Sequence, residues 1–281
     1  MKVLMISLGS DITLGKGNRT INRHIKYAKK ANSKIFMILL SPIKNKNYYA
    51  KKIERNKFLT IYPVASKIHI NLIFKALIKA IYISRKNNFD LIYSQDPFGT
   101  ALIGSLIRYL FKVPLIIGNH SSFVDNNLWL NERPIYFRIL NFFLKINIKN
   151  ADAWRVNNKK EKDKYINKFK IDPKRIFVNH TLINTKSFIK EFKNEELREI
   201  ESKLSNKKDT RFLIWAGRPV KVKRLDFLIN SFKYINENVP NTKLIIVGDF
   251  SINNYALKNL RKLNPNLNKD IIIFEKGANH E

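Results

Sequence analysis

One stretch in the last third of the chain combines a strand, a turn and a helix, and it constrains the fold more than any other feature. The five apolar residues 212–216 predict a buried strand. Gly217 and Pro219 interrupt this run, and from Leu225 onward apolar residues recur at helical spacing. A strand that leads through a short turn into a helix is the repeating unit of parallel α/β sheets.

Two cations flank the turn: Arg218 directly follows the strand and Lys223 comes just before the helix. Carboxyl ends of parallel strands and helix N-termini are places where backbone N–H groups bind anions. Arginine offers phosphate a planar fork and lysine offers a mobile point charge, so the pair suits a departing diphosphate. We therefore predict a diphosphate site at Gly217, Arg218 and Lys223. The alternative is that both cations are solvated loop residues in a lysine-rich chain.

The same alternation of strand and helix patterns runs through the whole chain. Strands are predicted at 2–8, 35–40, 58–62 (ended by Pro63), 90–93, 114–118, 152–157, 176–178, 212–216, 242–249 and 271–274. Helices are predicted to end near residue 31, to span 68–87, 100–111, 133–150 and 158–170, to begin at 225, and to lie near 253–263. This order predicts right-handed crossovers and parallel sheets.

The length of 281 residues suits two α/β domains. Residues 191–210 are rich in charge and poor in apolar side chains, so we predict a linker there, between an N-terminal domain at 1–190 and a second domain at 211–281. We therefore expect two Rossmann-like domains. Because the second has room for only half of such a domain, we expect it to be incomplete.

A glycine-containing turn follows the first strand. Gly15 and Gly17 would let backbone amides approach a ligand that larger residues would exclude. Their spacing does not match the full dinucleotide-binding pattern, so a merely flexible turn is the alternative.

Two polar candidates follow the strand at 114–118. His120 lies at the carboxyl end of that strand, where open α/β sheets place functional groups, although a structural hydrogen-bonding role is more typical of a single histidine. Asp125 is a candidate for binding an acceptor substrate, or else a helix cap.

The formal net charge is +31, from 53 basic and 22 acidic residues. Such charge attracts polyanions, which are nucleic acids or anionic membrane faces. The cations are spread from end to end, as the codon bias of an A/T-rich genome would also produce. A basic, aromatic helix at 133–150 would suit a membrane surface, or simply a domain core.

The chain has no cysteine, which excludes disulfides and thiolate metal sites. Its first apolar run is too short for a signal peptide. We therefore expect a cytoplasmic protein without a transmembrane segment.

Gly217-Arg218, Lys223 and the following Leu225-Asp226 resemble the Gly-Arg…Lys-Gly donor motif of GT-B glycosyltransferases of family 4, with Arg224 in place of the family's second glycine. The resemblance extends to further segments. Residues 89–98 resemble the corresponding segment of a subgroup, and residues 152–157 resemble another family segment, with Asn157 where the family has Ser. Residues 183–188 are similar to Val-Asp-Thr-x-x-Phe. Residues 242–250 are similar to Leu-x-Ile-Val-Gly-x-Gly, with Phe250 in place of the last glycine.

The resemblance implies a retaining, metal-independent transferase that moves a sugar from a nucleotide-sugar to a glycan or lipid-linked acceptor, as in cell-envelope polysaccharide synthesis. It implies that Arg218 and Lys223 hold the diphosphate and that His120 contacts the sugar. It also implies that Gly15 and Gly17 face the donor and that Gly248 forms a donor-side turn. We expect no cofactor and no specific nucleic-acid partner, and we expect a peripheral location at the inner membrane face.

The family's Glu-x7-Glu segment is not found, because Glu275 and Glu281 lack its spacing. We therefore expect a C-terminally truncated, inactive chain. Two other hypotheses stay open at this point: a polyanion-binding protein without catalysis, and an α/β enzyme that uses another phosphorylated ligand, such as a sugar-phosphate epimerase.

Overall fold

Parallel sheets dominate the fold. The computed structural model describes residues 1–9, 18–42, 53–180, 209–220, 223–250 and 269–274, with the backbone alone at 18–19 and 53–56. The chain divides into two compact units, Met1–Leu182 and Ile183–Glu281. The predicted linker lies almost wholly outside the described residues, so the domain limits proposed from the sequence stay a prediction.

The first unit contains an eight-stranded sheet in the order β3-β4-β2-β1-β5-β6-β7-β8. Only β3 is antiparallel to its neighbour. The seven parallel strands follow the order of a doubly wound, Rossmann-like sheet, with a switch between β1 and β5. The strands are β1 (Lys2–Leu8), β2 (Lys34–Ser41), β3 (Ile53–Asn56), β4 (Leu59–Ala65), β5 (Leu91–Ser94), β6 (Leu115–Gly118), β7 (Ala153–Val156) and β8 (Ile176–Val178).

Helices cover both faces of this sheet, which is why β1 and β2 are nearly continuous runs of buried apolar residues. Val3 and Met5 pack with Ile21 of the first helix, whereas Leu4 and Ile6 pack on the opposite face against α2, α3 and α5. The helices of this unit are α1 (Asn18–Lys30), α2 (His69–Lys86), α3 (Gly99–Phe111), α4 (Asn127–Glu132), α5 (Pro134–Asn150) and α6 (Lys159–Phe169).

The predicted elements of this unit are confirmed to within a few residues, with one error at Pro63. The strand predicted to end there continues to Ala65. On its outer side, β3 pairs with β4 only at Leu59, Thr60 and Ile61. Pro63 therefore lies where the described pairing of that edge has ended, and a missing N–H group is tolerated at such a place. The short elements β3 and α4 were not predicted.

The second unit contains a parallel sheet in the order β11-β10-β9 among its described residues. Its elements are β9 (Arg211–Ala216), α7 (Leu225–Asn238), β10 (Thr242–Val247) and β11 (Ile271–Phe274). Phe232, Leu244 and Phe250 are fully buried at its core. The α/β fold and the strand-turn-helix of the opening prediction are confirmed, but Ile214 is exposed, so β9 is only partly buried. The helix predicted near 253–263 lies outside the described residues.

Candidate active site

His120 lies two residues beyond the carboxyl end of β6, as the sequence predicted. Its backbone is held from β7, because the Asn157 side chain donates a hydrogen bond to the His120 carbonyl oxygen at 2.7 Å. The preceding residue is fixed as well, since the Asn119 N–H donates to the Arg155 carbonyl oxygen at 2.7 Å. The histidine is therefore exposed but not free to move with its loop.

Arg155, on β7, also contacts the ring of His120. One guanidinium N–H group lies 3.0 Å from Nδ1 of the imidazole. The same guanidinium nitrogen lies 3.5 Å from Nε2, so it contacts both ring nitrogens. A neutral imidazole carries one N–H donor and one lone-pair acceptor. His120 therefore offers a hydrogen-bonding group beside a fixed positive charge at the carboxyl edge of the sheet.

The electrostatic surroundings favour that neutral form. The protein around the ring disfavours its charged form and lowers the pKa of His120, and the positive charges of Arg155 and Arg23 lower the pKa further. At neutral pH the ring is therefore uncharged, and it protonates only as the pH falls through this lowered pKa. Such a residue can bind a hydroxyl group without adding positive charge.

Gly118, the last residue of β6, leaves room for two functional side chains. A Cβ atom at this position would lie 2.5 Å from the hydroxyl oxygen of Tyr93 and 3.2 Å from Nε2 of His120. Any larger residue would displace them. Tyr93 on β5 and His120 on β6 therefore flank the same point at the sheet edge.

Helix α6 supports the loop that follows His120. The buried Asn119 side chain donates to the Tyr165 hydroxyl at 2.9 Å, and the Ser122 hydroxyl donates to the buried Glu161 carboxylate at 2.7 Å. Burial is the main cause of a raised pKa at Tyr165, so its hydroxyl stays protonated. These contacts with α6 hold the loop that follows His120 in place.

Asp125 has a different role from the cap considered in the sequence analysis. Asn126 is the residue that caps α4, since its side chain accepts the Trp129 N–H at 3.1 Å. The Asp125 carboxylate instead pairs with Lys168 of α6. Its φ of 55° lies in the left-handed region, which aspartate tolerates. A role in acceptor binding stays a prediction.

The predicted diphosphate site lies in the second unit. Arg218 follows the carboxyl end of β9, and Lys223 precedes α7 by two residues. Both side chains are exposed. The turn between them contains two backbone hydrogen bonds, from Val220 N to the Arg218 oxygen at 2.8 Å and from Lys223 N to the Val220 oxygen at 2.9 Å.

Gly217 and Gly248 meet at the carboxyl ends of β9 and β10. The Gly217 N–H donates to the Val247 carbonyl oxygen at 3.0 Å. A Cβ atom on Gly248 would lie 2.6 Å from the Gly217 carbonyl oxygen, closer than such atoms approach in proteins. Gly248 therefore permits a close contact between two backbones directly beside Arg218.

Arg224 occupies a backbone conformation that favours glycine. It immediately precedes α7 with φ 49° and ψ 43°. A side chain in this left-handed region costs about 1–2 kcal/mol, which explains why glycine suits the position in the motif. Its guanidinium lies 3.5 Å from the Asp226 carboxylate and stacks over Phe227.

The sequence analysis named His120, Arg218 and Lys223 as candidates, which stay predictions, but did not name Arg155 and Tyr93, which the structure places beside His120 and Gly118. A charged residue between the buried Trp154 and Val156, at the end of a predicted strand, was the signal that could have identified Arg155. Gly15 and Gly17 lie outside the described residues. Within the described ranges no group of three or more histidines and carboxylates could hold a metal ion, and metal independence stays a prediction.

Among known proteins, the chain is similar to an uncharacterized glycosyltransferase of Methanocaldococcus jannaschii, with 29% identity over 73% of this chain and 50% of the relative. It is also similar to the alpha-monoglucosyldiacylglycerol synthase of Acholeplasma laidlawii, with 26% identity over 59% of this chain and 43% of that protein. The chain thus spans about half the length of these curated relatives.

Solved structures share the fold. The sucrose-phosphate synthase of Thermosynechococcus elongatus superposes with a TM-score of 0.69 at 15% identity, covering 98% of this chain and 70% of that one. The UDP-GlcNAc 2-epimerase of Methanocaldococcus jannaschii superposes with a TM-score of 0.59 at 18% identity, covering 99% and 74%. Residues 31–187, more than half of the chain, match the model of Glycosyltransferase Family 4.

Proposed function

This chain belongs to Glycosyltransferase Family 4, and we propose that it serves to transfer a sugar from a nucleoside-diphosphate sugar to a glycan or lipid-linked acceptor. The observation that carries this proposal is the turn after β9, which contains two exposed cations and begins at Gly217, whose carbonyl oxygen lies close to Gly248. A name of one relative, alpha-monoglucosyldiacylglycerol synthase, favours a lipid-linked acceptor.

Arg218 and Lys223 would bind the diphosphate of the donor. Small residues at 217 and 248 leave the backbone close to the ligand, and Arg218 follows a strand end where ligands of open α/β sheets bind. Positive charge at this point favours the transition state, in which negative charge develops on the departing diphosphate. In this proposal the two side chains supply what a divalent metal supplies in other enzymes.

The proposed reaction retains configuration at the anomeric carbon. The bond between this carbon and the diphosphate oxygen breaks, and the acceptor hydroxyl forms a new bond on the same face. The hydroxyl proton passes to the departing diphosphate. His120 would form a hydrogen bond with a sugar hydroxyl and position the donor without changing charge.

Binding of nucleoside diphosphates tests the donor role. We expect UDP or GDP to bind the full chain in calorimetry, and the double variant Arg218→Ala/Lys223→Ala to weaken that binding. Charged hydrogen bonds contribute about 1.5–3 kcal/mol each, so a loss of roughly 100-fold or more is expected.

The matched control removes two other exposed cations of the same unit, with Arg211→Ala/Lys233→Ala. It changes the net charge equally but leaves the motif intact, so nucleotide affinity should stay within about twofold. Equal losses in both double variants would show non-specific attraction and would contradict the donor site.

A further inference from the structure

The outer surface of α2 carries a row of large apolar side chains. Ile70, Phe74, Ile78 and Tyr82 recur every four residues and are between 52% and 76% exposed. Residues spaced by four lie on one face of a helix. Water-facing helical surfaces are normally polar, so this row is unusual.

The inner surface of α2 contains smaller residues than the outer one. Ala76 and Ala80 are fully buried against the sheet, together with Leu72 and Ile83. One apolar face of α2 therefore packs against the sheet, and a second face with larger apolar side chains is exposed. Burial in the domain core does not explain the exposed row.

Helix α5 carries a second row of the same kind. Ile135, Ile139, Phe142 and Ile146 follow helical spacing and are between 40% and 81% exposed. Helices α2 and α5 lie in the same layer, since both pack with α3 on one face of the sheet. We call the two rows together the apolar helix face.

The charges within the two helices have a single sign. Within α2 and α5 there are seven basic residues and no acidic one; the basic residues are Lys75, Lys79, Arg85, Lys86, Arg138, Lys145 and Lys149. Helices α6 and α7 each contain acidic residues, whereas α1 and α3 also lack them. The Lys86 ammonium lies 4.3 Å from the centre of the Tyr82 ring and donates to its hydroxyl at 2.6 Å, so cation and apolar surface are directly adjacent.

We propose that the apolar helix face docks onto the surface of an anionic lipid bilayer. Large apolar and aromatic side chains between lysines are the composition of helices that lie in the interface between headgroups and acyl chains. Each lysine or arginine adds attraction to anionic headgroups. A second copy of the chain would instead place seven cations opposite seven others.

In this proposal the protein lies on the membrane surface and does not span the bilayer. No helix in the described part of the chain is long and apolar enough to cross a bilayer. Helices α2 and α5 begin on the side of the sheet where β4 and β6 end, and the rings of His69 and Tyr136 are 6.2 Å apart near these helix starts. The sheet edge that carries His120 therefore lies at one end of the two rows.

Co-sedimentation with vesicles tests the proposal. The full chain should bind vesicles of phosphatidylcholine with about 30% phosphatidylglycerol much more tightly than vesicles of phosphatidylcholine alone. Phe74→Ser/Phe142→Ser should reduce binding to the anionic vesicles by roughly tenfold or more, because two aromatic side chains that would be buried in the bilayer are lost. Lys75→Gln/Lys79→Gln should reduce it as well.

Matched controls come from other surfaces of the chain. Phe227 and Tyr234 of α7 are 61% and 69% exposed, close to the 63% and 60% of Phe74 and Phe142, so Phe227→Ser/Tyr234→Ser removes similar aromatic area. Lys159→Gln/Lys160→Gln on α6 matches the loss of charge. Both controls should bind vesicles like the original chain, and circular dichroism should show that all variants are folded.

Three results would overturn the proposal. One is equal loss of vesicle binding in the test and control pairs, which would indicate diffuse attraction by the net charge. Another is vesicle binding that no variant changes. The third is a dimer in sedimentation velocity that Phe74→Ser/Phe142→Ser dissociates, which would assign the face to a second copy. Vesicle binding requires no turnover, so its outcome is separate from that of the nucleotide experiment.

Discussion

At the scale of single residues, the contact between Arg155 and His120 decides what the histidine can do. A lone histidine in a sequence offers two tautomers and two charge states. The Arg155 guanidinium nitrogen, 3.0 Å from Nδ1 and 3.5 Å from Nε2, favours the neutral ring over the charged one. In the proposed function Arg155 would be a positioning residue that acts on the donor through His120.

Replacing Arg155 with methionine should release the ring. In Arg155→Met the second-largest cause of the lowered pKa is removed, so the pKa of His120 should rise, and protonation should begin at a higher pH than in the original chain. Nitrogen-15 spectra of the imidazole rings report charge as a function of pH, and His120→Gln assigns the signal among the five histidines.

Arg23→Met serves as the control for this experiment. Arg23 also lowers the pKa of His120 by its charge. Its removal should raise the pKa less than Arg155→Met does, because the charge of Arg155 has the larger effect of the two. An unchanged pKa of His120 in Arg155→Met would contradict the role of the guanidinium.

At the scale of elements, the ends of β9 and β10 come together through their glycines. The register pairs Ala216 with Val247, so Gly217 and Gly248 follow at equivalent positions. The 2.6 Å between the Gly217 oxygen and a Cβ atom at 248 leaves no room for a side chain, and the neighbouring contact is backbone, which cannot rotate away. The shape of the Arg218 turn therefore depends on the spacing of the two strands.

Gly248→Ala should disturb this turn. We expect the free energy of unfolding to fall by about 1–3 kcal/mol from overpacking, and the affinity for nucleoside diphosphate to fall with it. Urea unfolding and calorimetry measure the two effects. Gly217→Ala is the control: a Cβ atom there meets only the Trp215 ring at 3.6 Å, so stability should change by less than about 1 kcal/mol. Equal effects of the two substitutions would contradict the close contact.

At the scale of the whole molecule, the net charge of +31 makes the chain repel itself and attract polyanions. The cations are not confined to one arm, and the acid-free helices α2 and α5 provide a local cluster that a membrane surface would fit. The net charge is also the observation that favours the alternative of a polyanion-binding protein.

Salt titration separates diffuse charge from a specific site. We expect binding to duplex DNA to be weak and to fall steeply between about 50 and 200 mM salt, as non-specific binding does. Arg218→Ala/Lys223→Ala should hardly change it, since these are two of 53 basic residues. Tight DNA binding that survives at 200 mM salt and is lost in that double variant would instead support a nucleic-acid function for the motif.

Local patterns in the sequence determined the elements of this protein and the kind of sheet that they form. Apolar periodicity and turn residues placed β1 and β8 at their observed bounds, and the run from Phe212 to Leu225 predicted the strand, the turn and the helix. These features depend on neighbours within a few positions, so sequence alone is sufficient for them.

Only the tertiary structure decided which residues meet. Arg155 and His120 are 35 positions apart, and their contact arises because β6 and β7 are adjacent in the sheet. The backbone approach at Gly217 and Gly248, and the choice of the face that α2 turns outward, likewise follow from packing between elements. An apolar pattern indicates that a residue prefers to be buried. The neighbouring elements determine whether the fold buries that residue or leaves it exposed.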